Sequence, residues 1–97
     1  MFSVSLLPPA IDDIQDAYDW YEEQLRGLGE RFLESIQKAL FDLKMYPFYA
    51  IRYSTVRCVP VSVFPFMIHF ELDEVRSLIF VKAILHTKMN DKKWGKQ

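Results

Sequence analysis

The sequence predicts an α+β fold in which two helices pack against one face of an antiparallel β-sheet. Residues 8–43 repeat apolar side chains every three or four positions, which is the period of an amphipathic α-helix. Residues 57–85 alternate apolar and polar side chains, which is the period of half-buried strands. Glycine and proline residues interrupt these patterns where one element must end and the next must begin.

The helical half follows a short strand, predicted at 2–7, that ends at Pro8-Pro9 because proline suits the first turn of a helix. A first apolar stripe is formed by Ile11, Ile14, Tyr18, Tyr21, Leu25 and Leu28. A second stripe is formed by Phe32, Ile36, Leu40 and Leu43, and it ends by Pro47. Gly27 and Gly29 lie between the stripes and permit a tight helix end, so the pattern predicts an antiparallel helical hairpin.

The second half predicts three or four antiparallel strands. The clearest strands are predicted at 57–63, 66–72 and 78–85. Pairing Leu72 with Ser77 places Phe70 opposite Ile79 and gathers the aliphatic side chains on one face, which must cover the helices. The other face is then predicted to carry Met67, His69, Glu71, Phe80, Lys82 and His86.

Composition indicates an ordinary globular domain. A length of 97 residues suits one domain, and a hydrophobic fraction of 51% is sufficient for a core. We expect one domain over 1–97, without a membrane span or a secretion signal. The one cysteine, Cys58, has no partner for an internal disulfide, which favours the cytoplasm.

The charges are unevenly distributed along the chain. Residues 1–43 hold nine acidic and three basic side chains, a balance of −6, and residues 44–97 hold four acidic and nine basic ones, a balance of +5. The sum reproduces the net charge of −1. Such polarity is consistent either with a surface that meets an anionic partner or with a solvated acidic helix beside an unremarkable sheet.

Several motifs occur in a defined order along the chain. They are Trp20-Tyr21-Glu22-Glu23-Gln24, Gly27-Leu28-Gly29-Glu30-Arg31-Phe32, Arg57, Phe64-Pro65-Phe66 and His86-Thr87-Lys88, followed by Trp94. In this order and spacing the chain resembles the RelE/ParE superfamily of bacterial toxins over nearly its whole length. It is more similar to the ParE, or plasmid-stabilisation, branch than to the RNA-cleaving RelE branch. Such proteins often read His-x-Arg-Arg-x-Pro before the tryptophan, whereas this chain has Lys88, Met89 and Asp91, and so lacks a basic residue at position 89.

The resemblance implies the toxin of a type II toxin–antitoxin pair, which poisons DNA gyrase and is neutralised by a small, partly disordered antitoxin. Two alternatives stay open: a ribosome-dependent mRNA endoribonuclease of the RelE type, and a degenerate, non-toxic copy that only binds its antitoxin. The residues expected to bind the target or the antitoxin are Arg57, Lys82, His86, Lys88, Lys92, Lys93 and Trp94.

Under the endoribonuclease alternative, the catalytic candidates are His86, Lys82 and Lys88. RNA cleavage needs a general base, cations for the phosphate and a general acid, and histidine and lysine have suitable chemistry. Lys82 and His86 are four positions apart along the strand, however. The distance is roughly 13 Å, which is too long for both side chains to hold one phosphate oxygen. The sequence therefore favours a non-enzymatic role, with His86 closing the strand and hydrogen-bonding the backbone of the tail.

No metal or cofactor site is expected. His69 and His86 fall on different strands with one acidic neighbour, Glu71, and no cysteine beside them. Tyr18, Trp20 and Tyr21 resemble an aromatic platform for bases, but aromatic residues at helical spacing more often belong to a core.

Overall fold

The computed structural model describes residues 1–88 and confirms the α+β class and the order of its elements. Lys92, Lys93 and Trp94, with Met89 and Asp91, lie outside the described residues. The elements are β1 (Ser3–Leu6), α1 (Pro8–Gln24), α2 (Leu28–Met45), β2 (Ile51–Tyr53), β3 (Val56–Pro60), β4 (Phe66–Asp73) and β5 (Leu78–His86). No helix among residues 1–88 has both the length and the apolar character needed to cross a bilayer.

The strands form one five-stranded mixed sheet in the order β1-β5-β4-β3-β2. The first strand joins this sheet rather than standing apart, and it pairs in parallel with the last, with Val4 opposite Ile79 and Leu6 opposite Val81. The remaining neighbours are antiparallel. The first and last strands along the described chain, β1 and β5, are therefore neighbours in the sheet. The helical hairpin connects β1 to β2.

The core lies between the helices and one face of the sheet. The largest fully buried side chains on these surfaces are Phe32, Ile36 and Leu43 from α2, with Ile68, Phe70, Ile79, Val81 and Ile84 from the sheet. Phe32 also belongs to a group of aromatic rings that includes Tyr21, Phe64 and Phe66, with centroids 5.0–6.3 Å apart. These contacts hold the end of the sheet at β4 against the hairpin.

The first helix is rotated relative to the predicted stripe. Ala10 and Ala17 are its buried residues, whereas Ile11 and, just past the helix, Leu25 are 52% and 62% exposed. Because α1 lies close against α2 and β5, small side chains occupy its contact face, while Ile14 and Tyr21 from the predicted stripe are partly buried against the core. In the second stripe, Phe32, Ile36 and Leu43 are buried, as predicted, and Leu40 is partly buried.

The hairpin turn depends on two glycines with different roles. Gly27 has a φ of +91°, in the left-handed region that favours glycine. Gly29 is buried where α2 approaches α1. Between them, Oε1 of Glu22 accepts the backbone N–H groups of both glycines at 2.9 Å. A carboxylate of α1 thus satisfies N–H groups at the start of α2, where the helix dipole also favours negative charge.

The predicted pairing of β4 with β5 is wrong, because the observed register is shifted by two residues and contains a β-bulge that was not predicted. Leu72 pairs with Ile79 and Phe70 with Val81, so the shift of two preserves the predicted faces up to this point. His69 then pairs with Ala83, which leaves Lys82 as an extra residue in β5. A one-residue insertion exchanges the two faces of the strand beyond it.

The carboxylate of Asp13 supports the strand just after this bulge. The backbone N–H of Ile84 donates to Oδ2 of Asp13 at 2.9 Å, across 71 positions of sequence. β5 extends past the last residue of β1, so α1 supplies the acceptor where strand pairing ends. A hydrogen bond to a charged group contributes about 1.5–3 kcal/mol when partly buried.

The outer face of the sheet, away from the helices, contains a buried histidine. Nδ1 of His69 lies 2.9 Å from the hydroxyl of Tyr53 and 3.4 Å from Sγ of Cys58. Burial raises the pKa of both neighbours, so they stay protonated at neutral pH, and the tautomer of the imidazole sets the direction of the two contacts. Burial, with the nearby positive charge of Arg52, lowers the pKa of His69 to about 4. The imidazole is therefore neutral at physiological pH.

Gly29→Ala is expected to destabilise the protein. The added Cβ would lie 2.7 Å from Cγ of Glu22 and 2.9 Å from the carbonyl oxygen of Tyr18, and the backbone atom cannot rotate away. We expect a loss of about 1–3 kcal/mol in the free energy of unfolding, measured by urea denaturation. Glu34→Ala, at an exposed position of the same helix, is the control and should change it by less than about 0.5 kcal/mol. Equal stability of the two variants would contradict the close approach.

Acid should destabilise the folded protein through His69. Since its pKa is lower in the folded chain than the ordinary 6.5, the unfolded chain binds the additional proton. The stabilising contribution is complete above pH 6.5 and is lost as the pH falls toward about 4, at a total cost of about 3 kcal/mol. His69→Gln should flatten this part of the stability curve, whereas His86→Gln should retain it. An unchanged slope in His69→Gln would show that another group is responsible.

Candidate functional site

Lys82 lies on the outer face, at the bulge of β5. Its Nζ is 3.6 Å from Oε2 of Glu71, and the same carboxylate oxygen accepts a hydrogen bond from the hydroxyl of Thr55. The lysine side chain is 45% exposed. Lys82 is therefore a solvated cation paired within its own sheet, and its contribution to any partner contact is reduced by this internal carboxylate.

His86 lies on the opposite, helix-facing side, because the bulge exchanges the faces. It pairs with Phe66, and the two rings meet edge to face with centroids 5.2 Å apart. Nδ1 of His86 accepts the backbone N–H of Lys88 at 3.0 Å, which places the proton of the neutral ring on Nε2. The prediction that His86 closes the strand and bonds the backbone of the tail is confirmed. Its predicted position on the same face as Lys82 is wrong.

The other predicted binding residues do not complete a common surface with these two. Arg57 pairs with Phe70 in the sheet, and its guanidinium Nη1 donates to the carbonyl of Tyr49 at 3.0 Å. Lys88 is exposed just after β5. The residues predicted at 92–94 lie outside the described part of the chain. Within 1–88, the basic candidates are thus distributed over both faces and both ends of the sheet.

This distribution limits the chemistry available in the described region. A nuclease centre needs a base and a phosphate-binding cation directed at one site, but Lys82 and His86 face opposite sides of the sheet, so Lys88 is the one candidate cation of the described region that lies next to His86. His69 lies on the outer face but is fully buried there, and its pKa is lowered to about 4. Residues 1–88 also contain no group of three or more His, Cys, Asp or Glu side chains that could hold a metal ion.

Two apolar grooves flank the helices instead. The first, which we name the His86 groove, has a volume of about 450 Å³. Its lining residues are Ala17, Trp20, Tyr21, Pro65, Phe66 and His86. Trp20 is 56% exposed at its mouth and contacts the ring of Tyr21 edge to face. The groove therefore offers mainly aromatic surface, and the side chains of Trp20, Tyr21 and His86 bring its polar groups, an indole N–H, a hydroxyl and an imidazole.

The second groove, named the edge groove, lies between β1 and α2 and has a volume of about 400 Å³. Its lining residues are Val4, Leu6, Gln37, Leu40, Phe41 and Lys44. Exposed apolar side chains follow Lys44 at the end of α2 and in the next loop, namely Met45, Tyr46 and Phe48. Rings from this loop contact one another and Phe2 at the start of the chain. Exposed apolar side chains beside a groove are typical of a protein-binding site.

Analysis of the sequence missed this second surface. The signal it contained was Phe41, an aromatic residue outside the predicted stripe of α2, followed one turn later by Lys44 and Met45. The pattern alone did not show that β1 would lie at the free edge of the sheet, beside this side of the helix. That placement depends on the parallel pairing with β5.

Comparisons with known proteins agree with this architecture. A chain from the solved structure described as the chromosomal ParDE toxin–antitoxin system from P. aeruginosa superposes with a TM-score of 0.77 at 20% sequence identity. The match covers 91% of this chain and 98% of that chain, and it shows the shared fold. No curated protein sequence matches the chain.

The family comparison covers most of the sequence. Residues 4–91 match the family model described as the ParE toxin of the type II toxin–antitoxin system, parDE. The matched region begins in β1 and includes both helices and every strand. The chain therefore belongs to the ParE toxin family of type II toxin–antitoxin systems.

Proposed function

We propose that this ParE-family toxin poisons DNA gyrase by binding it, without cleaving RNA, and that a ParD-type antitoxin holds it inactive. Membership of the family supports the toxin role. The choice of gyrase rests on the resemblance to the ParE branch. Gyrase and a cognate antitoxin would both be met in the cytoplasm, where we therefore place its action.

One observation carries the preference for binding over RNA cleavage. The bulge at Lys82 directs that cation to the outer face, while His86 turns toward the helices and packs on Phe66. Cleavage by 2′-hydroxyl attack requires a base and a cation at one phosphate, and these two groups cannot meet there. The described surface offers two apolar grooves, one of them lined by Lys44, which suit a protein partner better than a scissile phosphate.

Neutralisation by an antitoxin follows from the same surfaces. The solved ParDE system is named for a toxin and an antitoxin together, and it shares this fold. A disordered antitoxin tail can cover two separated grooves because it orders only on contact. We expect its gene beside that of the toxin, encoding a small protein whose co-expression restores growth.

Induced expression should relax plasmid DNA while leaving messages intact. Supercoiling is measured on chloroquine gels, and transcript cleavage is measured by primer extension in the same cultures. Relaxed plasmids with uncut transcripts support the proposal. Cuts within translated messages would replace gyrase poisoning with the RelE-type activity, and normal growth with an intact, folded protein would indicate a degenerate copy that only binds antitoxin.

A variant of His86 distinguishes the two toxic mechanisms. If the imidazole transferred protons during RNA cleavage, His86→Gln would lower toxicity by about 10²–10⁴-fold. If His86 only forms one wall of a binding groove and accepts the Lys88 N–H, glutamine should reduce toxicity by less than about tenfold. The dose of inducer that halts growth gives this ratio, with protein levels matched by immunoblot. A loss at the upper end of the first range would contradict the proposal.

A further inference from the structure

The described chain leaves the sheet at the wall of the His86 groove. Pro65 and His86 both line this groove, and His86 is the last residue of β5. The backbone N–H of Thr87 donates to the carbonyl of Pro65 at 2.8 Å, and the N–H of Lys88 donates to Nδ1 of His86 at 3.0 Å. Two hydrogen bonds to groove residues therefore fix the point from which residues 89–97 continue the sequence. A segment attached there is held close to the groove before it makes any contact of its own.

The interior of the groove suits an aromatic side chain. Its volume of about 450 Å³ lies within the range of about 300–1,000 Å³ that holds small organic ligands. Aromatic rings of the wall already meet edge to face, Trp20 on Tyr21 and Phe66 on His86, with centroids 5.2 Å apart in both pairs. A further ring can enter with the same geometry, which aromatic pairs prefer. Because Trp20 is 56% exposed at the mouth, an entering ring would also remove its apolar surface from water.

The segment 89–97 supplies such a side chain within reach. Trp94 is its one aromatic residue and stands six positions beyond Lys88. Six extended residues span roughly 20 Å, at about 3.3 Å per residue. His86, on the groove wall, precedes Lys88 by only two positions, so the segment is long enough for Trp94 to enter the groove. A short connection of this kind gives the second contact an effective concentration on the order of millimolar.

The charges of the segment and of α1 are complementary. α1 holds six acidic side chains and no basic one. The segment 89–97 holds three lysines against one aspartate, a balance of +2. Asp16 stands one helical turn before Trp20 with its side chain exposed, so it can meet a lysine of a segment seated in the groove. Attraction between the two charge sets therefore favours this helix over the other surfaces of the described chain.

From these observations we propose that residues 89–97 dock back onto their own chain, with the indole of Trp94 in the His86 groove. The free protein then holds Trp94 and His86, two of the residues predicted to bind the target or the antitoxin, against each other. A partner that covers this groove must displace the segment, so its affinity is reduced by the fraction of docked protein. The inference concerns the free protein, and it holds or fails independently of the target proposed above.

The fluorescence of Trp94 tests this docking in the full chain. Trp20→Phe keeps a ring in the groove wall and leaves Trp94 as the one tryptophan of the sequence. Acrylamide should quench it at least about threefold less efficiently than it quenches a synthetic peptide of residues 88–97, because a seated indole is shielded. Equal quenching constants, corrected for fluorescence lifetime, would overturn the inference. Shielding that grows with protein concentration would also overturn it, by assigning the groove to the segment of a second copy.

Two matched pairs of variants, measured at low salt against Trp20→Phe, locate the docking. Trp20→Ala removes the wall ring and should raise the quenching of Trp94 about twofold or more. Phe41→Ala in the Trp20→Phe chain removes a ring of equal exposure, 56%, from α2 and should not change it. In the same chain, Asp16→Lys should raise quenching about 1.5-fold or more, whereas Glu34→Lys, a reversal at an exposed position of α2, should not.

All four positions are exposed, so each variant should fold, which circular dichroism checks. Equal effects within either pair would show that Trp94 is shielded elsewhere and would reject the groove as its docking site. None of these measurements depends on toxicity. A protein that leaves supercoiling intact but shields Trp94 as described would therefore reject gyrase as the target and still support the docking.

Discussion

The placement of functional groups on this protein depends on one extra residue in β5. Before Lys82, the strand directs Ile79 and Val81 into the core. After it, the same strand directs Ile84 inward and turns His86 toward the helices. Ile84 is fixed there both by burial and by its hydrogen bond to α1. Without the insertion, the histidine and the lysine would share a face, and the chemistry of that face would be different.

The helical hairpin was predictable because its signals are local, while the sheet required information that the pattern lacks. Periodic apolar residues and the two glycines identify the helices and their junction. A bulge reverses the alternation by a single residue, and Ala83 with Leu85 imitates an uninterrupted apolar face. β2 has three residues and no buried side chain, so it left no alternating signal. The parallel pairing of β1 joins positions more than 70 residues apart.

The same contrast between local and long-range information applies to the candidate residues. The tail-bonding role of His86 was predictable because it needs only the end of a strand and the next few residues. A common basic surface was not, since Arg57, Lys82 and His86 are brought near other groups by tertiary packing. Lys44 had no distinguishing feature in the sequence. It matters because α2 reaches further than the sheet it covers, and this difference in width creates a groove at the margin.

An open strand margin beside exposed apolar side chains also affects how the chain survives in a cell. Edges of this kind are where chains join one another into aggregates, and β1 lacks the lysine or proline that would discourage such growth. The toxin released from its partner would therefore be removed by precipitation and by proteases as well as by recapture. The free edge of β1 would in this way limit how long an unbound copy of the protein persists.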